Sequence, residues 1–163
     1  MLSDNLVDTI ATGLTTAMSA GGNYADHLVS AVYKRDMMPT DPPACLYVLD
    51  MTGMAYGESE IGQAAPATWR WPIEVRIRVR SADEVEGRRE RGILIWRVIR
   101  EVYRTSGLGG SLRALSESGD GVVEHVLGLP ARPMVAKYHT KEPVGWVFTA
   151  AVTLPFDCEL EMA

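Results

Sequence analysis

Trp69-Arg70-Trp71-Pro72-Ile73-Glu74-Val75-Arg76-Ile77-Arg78-Val79-Arg80 is the stretch that decides how this chain is read. Every odd position is apolar, and every even position except Pro72 is charged. A period of two sends alternate side chains to opposite faces of an extended chain. The stretch therefore predicts a half-buried antiparallel strand with one dry face and one charged face. Pro72 has no N–H to donate and is expected at a bulge or an edge-facing position.

Downstream of that strand, Ser81 and Glu84 have the spacing of a capping box, and Asp83, Glu84 and Glu86 suit the positive end of a helix. A helix of about six turns is expected, with Val85, Gly92, Ile95, Trp96, Ile99, Val102 and Tyr103 against the sheet. Arg88, Arg89, Arg91, Arg97 and Arg100 would line its opposite side. The Gly/Ser-rich stretch from Thr105 to Gly121 holds Leu108, Leu112 and Leu115, which suggests a single helical turn within a loop. Pro133 to Thr140 and Val144 to Phe156 read as strands, joined by Lys141-Glu142-Pro143 into an antiparallel hairpin.

Upstream, Thr52 to Pro66 is rich in Gly, Ala and acids and reads as the exposed tip of a long hairpin. Ala44 to Leu49 is a short apolar run, expected as a strand buried on both faces. Met37 to Pro43 is a turn dominated by Pro39, Asp41, Pro42 and Pro43. His27 to Lys34 fits either a helical turn or a strand, with the strand favoured. Leu2, Leu6, Ile10, Leu14 and Met18 recur every four residues, as in an amphipathic helix capped by Ser3 or Asp4 and ended by Gly21-Gly22. These elements predict an α+β fold: a mostly antiparallel sheet of about five strands, one long helix packed on it, and an N-terminal helix. A single domain over residues 1–163 is expected.

Composition narrows the function classes. Hydrophobic residues make up 47% and charged residues 23%, which is globular usage, not that of a disordered chain. A net charge of −5 offers no bulk attraction to nucleic acid or to an anionic membrane. No run of about 18 apolar residues is present to span a bilayer. Met1 to Ala20 carries Asp4 and Asp8 where a signal peptide has a basic leader, so synthesis and residence in a cytoplasm are expected. Cys45 and Cys158 are far apart and read as two reduced thiols or as one bridge between neighbouring strands.

The residues for catalysis do not converge in the sequence. His27, His125 and His139 show no metal-ligand spacing, so no metal is expected. Gly107, Gly109 and Gly110 follow a helix where a phosphate loop follows a strand, and no Lys-Ser or Lys-Thr comes after them. No Gly-x-Ser-x-Gly elbow appears. No enzymatic activity and no cofactor are expected. The charged face remains: Arg70, Arg76, Arg78 and Arg80 repel one another and need carboxylate neighbours. They suit a solvated face with cross-strand acids, a subunit interface with acids supplied in trans, or, less well, nucleic-acid contact.

Taken in order, these features resemble the phage tail-terminator family, also described as minor tail protein U-like. They are the N-terminal helix, Pro42-Pro43-Ala44-Cys45-Leu46-Tyr47-Val48, the acidic Gly57-Glu58-Ser59-Glu60, the strand Trp71 to Val79, the helix Ser81 to Arg104, and Gly145-Trp146-Val147-Phe148 to Leu154. The resemblance is architectural and covers nearly the whole chain. It implies a six-membered ring that caps the tail tube, stops its polymerisation and offers the surface for head or neck attachment. Its partners would be further copies of itself, the tail tube protein and a neck or head-completion protein, with no membrane and no specific nucleic-acid sequence. Assembly would take place in the host cytoplasm, and the final location would be the virion. A ring contact is heterologous, so Arg76, Arg78 and Arg80 of one copy would meet Glu58 and Glu60, or Glu159 and Glu161, of the next. A head-closure or neck adaptor subunit and a small-ligand-binding α+β domain remain alternatives.

Overall fold

The computed structural model describes residues 2–19, 21–24, 26, 28–51, 67–143 and 145–162. The alternating stretch forms the middle of a long central strand, β3 (Ala67–Ser81). On one side β3 pairs antiparallel with β2 (Ala44–Asp50), and on the other with β7 (Gly145–Met162), from Ala67↔Leu160 to Ser81↔Trp146. A short β1 (Ala31–Tyr33) runs parallel to β2. The far edge of β7 is divided. Its first half pairs with β6 (Met134–Glu142), and its last residues pair with β5 (Val122–Val126), which carries β4 (Ser116–Gly119) outside it.

The α+β class agrees with the sequence reading, but the described sheet has seven strands instead of about five. β4 lies within the Gly/Ser-rich stretch expected to be a loop, and β5 follows directly after it. The turn between them is Asp120-Gly121, both at positive φ (51° and 78°), the conformation that a two-residue hairpin turn demands. The Asp-Gly signal was present in the sequence, but the flanking strands, of four and five residues, were too short to show a period.

Pro72 sits in a regular ladder, not at a bulge. It faces Pro155 across β3 and β7, so two residues without donors oppose each other. Its carbonyl turns the other way and accepts from Met51 N–H at 2.9 Å, just where β2 ends. No ladder bond to β7 is lost, which is why a central strand tolerates the pair.

Three helices cover one face of the sheet: α1 (Leu2–Met18), α2 (Glu84–Tyr103) and α3 (Leu108–Arg113). α1 buries Leu2, Leu6, Ile10, Leu14 and Met18 as its period predicts. It starts at Leu2, so Ser3 and Asp4 lie inside the first turn and do not cap it. α2 is capped by Asp83, whose carboxylate accepts from Glu86 N–H at 3.0 Å. Ser81, the expected cap, is the last residue of β3 and accepts from Asp83 N–H.

The face that α2 buries also differs from the apolar stripe. Gly87, Arg91, Leu94, Ile95, Val98, Glu101 and Val102 point inward, while Val85 and Trp96 are 77% and 73% exposed. The reason is tertiary. A Cβ at Gly87 would lie 2.4 Å from Phe148 of β7, so this turn of the helix can approach the sheet only on glycine. One turn on, Arg91 lies over the Phe148 ring and donates to the Tyr138 carbonyl at 2.8 Å. A glycine and an arginine thus take the inward face, and the tryptophan is turned out.

The odd residues of β3, Ile73 to Val79, merge with Leu46 and Val48 of β2, Phe148 to Cys158 of β7, and the helices into one core. Each fully buried aliphatic side chain there contributes about 1.5–3 kcal/mol. Cys45 and Cys158 are both buried and free, on opposite faces of the sheet, so no bridge joins them. Burial pushes the Cys158 thiol up to about 12. Among the described residues no helix is long and apolar enough to cross a membrane.

Two glycines of α2 test this packing in opposite directions. Gly87→Ala is expected to destabilise by about 1–3 kcal/mol through overpacking against Phe148. A Cβ at Gly92 meets open space, so Gly92→Ala should stabilise by about 0.5–1 kcal/mol. Urea midpoints at equal m-value measure both.

Candidate functional site

From Arg76 to Arg80 the charged face of β3 does not look out freely on solvent. Residues 35–43 lie across it as a strap, and the arginines are what hold the strap down. Arg78 is buried and donates to the carbonyls of Met38 at 2.8 Å, Asp41 at 2.9 Å and Pro42 at 3.2 Å. Arg80 donates to the Pro39 carbonyl at 2.6 Å. Arg76 pairs with Asp36 at 2.8 Å and with Glu74 on its own strand. A guanidinium has a rigid fork of donors, which suits a strap whose prolines supply carbonyls but no N–H groups.

Beneath the strap Asp41 gathers four donors. Arg35 approaches both its oxygens at 2.6 and 3.0 Å, Met38 N–H donates at 2.8 Å, and the Tyr47 hydroxyl donates at 2.9 Å. Arg35 first, then the Met38 amide and the Tyr47 hydroxyl, hold the Asp41 carboxyl well below the usual carboxylate range. Burial, followed by the hydrogen bond to Asp41, pushes the Tyr47 phenol up. Arg35 also stacks on Tyr33, which stacks on Tyr47. β2 is therefore buried on both faces as expected, by the helices on one side and by this strap on the other.

The three arginines singled out in the sequence thus come together on one face, each with partners in its own chain. Glu58 and Glu60 lie outside the described residues. Glu159 pairs with His125 at 3.1 Å. His139 packs against Trp146 and Phe148.

Two other buried acids are held in the same manner. Glu101 at the end of α2 accepts from Asn23 and Tyr24 and lies 3.6 Å from Arg104. Burial, then Glu101, push the Tyr24 phenol up to about 12. Glu124 on β5 accepts from the indole N–H groups of both Trp69 and Trp71. An open groove of about 690 Å³ runs between α1 and α3, with Thr12, Thr16, Leu108 and Ser111 along it. The Thr16 hydroxyl is turned back onto the Thr12 carbonyl.

Large apolar side chains also face outward, among polar ones. All nine residues of β6 are exposed, with Met134 at 60%, Val135 at 41% and Tyr138 at 54%. On α2, Val85 and Trp96 are eleven residues apart, three helical turns, and so lie on one outer face.

No known protein-family profile matches this chain. No curated protein matches it. Among solved structures, a chain of the virion of the native gene transfer agent (GTA) particle is similar to it, at 14% identity and a TM-score of 0.37. The likeness covers 92% of this chain and 97% of that one.

β6 was legible as a strand but not as an exposed one, because Met134-Val135-Ala136-Lys137-Tyr138 has no alternation to show which face is bare. Asp41 read only as a turn residue; its ligation by Arg35 and Tyr47 depends on how the strap closes over β2.

Asp41→Asn is expected to loosen the strap. A carboxylate whose folded pKa is depressed stabilises fully above its unfolded value of about 4, and that stability is lost as pH falls towards the folded value. The stability gap between the parent protein and Asp41→Asn should therefore be constant from pH 5 to 7 and shrink below about pH 4. Denaturant midpoints across that range measure it.

Proposed function

We propose that this protein is a non-catalytic structural subunit of a phage-like virion, which assembles into a closed, six-membered ring that caps the tail tube and presents the attachment surface for the head or neck. The observation that carries this reading is the exposed β6. A nine-residue strand bonded along one edge and bare on both faces is a surface that soluble monomers normally shield. The outer face of α2, with Val85 and Trp96, is a second, different apolar surface. A heterologous contact requires two unlike surfaces of this kind on each copy, and repeating it around an axis closes a ring. The architectural resemblance to tail terminators supports the same reading.

The non-catalytic part rests on how buried charge is used. Asp41, Glu101 and Glu124 are each held by donors of their own chain. Groups committed in this way fix a strap, a helix end and a sheet edge, which supports a structural use of their charge. The arginine row is engaged on the strap in the same way, which moves the proposed ring contact from Arg76, Arg78 and Arg80 to β6 and α2.

The test is absolute mass by light scattering with negative-stain images, alone and with tail tubes. The expected result is closed rings near six times the 17.9 kDa protomer mass. Tyr138→Glu and Trp96→Glu should each abolish rings, and a mixture of the two should give dimers, since one intact contact survives between them. Rings that persist in both variants, or a monomer even on tail tubes, would refute the proposal.

A further inference from the structure

At the end of the sheet remote from β6, the fold brings a histidine up to two glutamates that are distant from it in sequence. His125 of β5 stands directly opposite Glu159 of β7 in the ladder, and Glu161 lies two residues on, on the same face. That face is the one turned away from the helices, since the neighbouring positions Trp69, Val126 and Cys158 point into the core. His125 Nε2 and Glu159 Oε2 are 3.1 Å apart, and ligand atoms of all three residues lie within 4.8 Å of one another. Asp157, the next acid on this face, is already met by Arg70 at 2.8 Å.

We propose that His125, Glu159 and Glu161 form a binding site for a divalent first-row transition ion, of which zinc is the probe. Donor chemistry selects the class. One imidazole nitrogen with two carboxylates is a set that zinc accepts, with bonds of about 2.0–2.2 Å. Calcium seeks six to eight oxygens and gains little from imidazole. Bonds of that length in a tetrahedron put donor atoms about 3.4 Å apart. His125 and Glu159 already meet that spacing. Glu161 is exposed near the end of β7 and lies within 4.8 Å of the other two, so a small inward swing of its side chain completes the set at small cost. The remaining coordination position is left to water.

The ion would act as a clamp. β5 is held to β7 through only the last residues of that strand, from Val126↔Cys158 to Val122↔Met162. A metal shared between the two strands ties the β4–β5 hairpin to the central sheet. Sequence spacing could not reveal it, because the histidine and the first glutamate are separated by 34 residues.

Tag-free full-length protein is titrated with zinc chloride by calorimetry, with calcium chloride in parallel. The expected result is saturation at one equivalent of zinc and no comparable calcium isotherm. Glu159→Gln and Glu161→Gln should each weaken binding by about tenfold or more, and His125→Ala should abolish it. His139→Ala should leave it unchanged. The melting temperature of the parent should rise with zinc, and that of His125→Ala should not. Cobalt supplies an independent readout, because loss of the nitrogen donor alters its visible spectrum. These residues stand on the sheet surface, and His125→Gln serves as a milder second variant should alanine unfold the hairpin. No saturable zinc binding, or binding undiminished in both His125 variants, overturns the proposal.

Discussion

The pairing of β3 with β7 is the constraint from which the rest of the structure follows. Fifteen residues of β3 are matched in unbroken register, from Ala67↔Leu160 to Ser81↔Trp146. Because side chains alternate, this register decides which atoms are dry. Ile73, Val75, Ile77 and Val79 stand beside Leu154, Val152, Ala150 and Phe148, and all eight are fully buried. A slip of one residue would exchange that row for Glu74, Arg76 and Arg78, so the apolar cost of misalignment enforces the pairing. The opposed prolines at 72 and 155 belong to the same register, and Pro72 is tolerated there because its backbone polar side faces β2, not β7.

From this ladder the two sides of the sheet acquire different roles. The helical side is a conventional apolar core. The other side is a polar layer in which guanidinium groups hold a proline-rich strap, and Asp41 ties that strap back to Tyr47 and Arg35. A run of arginines on one strand would be repulsive in isolation. It becomes stable because backbone carbonyls and the acids Asp36 and Glu74 sit over it at hydrogen-bond distance. With the arginine row committed inward, exposed apolar side chains remain on β6 and on the outer face of α2.

Much of this was legible residue by residue, and the failures share a cause. The four-residue spacing of Leu2, Leu6, Ile10, Leu14 and Met18 defined α1, and the strict alternation from Trp69 to Val79 defined β3, because in each a local period coincides with burial. The inward face of α2 was misjudged because Trp96 outweighs Gly87 on any hydrophobicity count. Yet Phe148 leaves room only for a residue without Cβ. The β4–β5 hairpin escaped because its strands are short and β4 is polar, although Asp120-Gly121 marked the turn. The arginine row was recognised as a cluster in need of partners, but its partners lie about forty residues upstream.

What the sequence determined by itself is the α+β class, the identity of the central strand and its core residues, and the presence of a long helix after it. These depend on periodicity and turn chemistry, which act over a few residues. What only the tertiary structure decided is which face of α2 is hidden, where the arginines spend their hydrogen bonds, that β6 stands bare, and that His125 meets Glu159 and Glu161. Those outcomes depend on strand register and on steric fit between elements distant in the chain. No local pattern encodes them, because the free energy that selects them exists only once the elements are packed together.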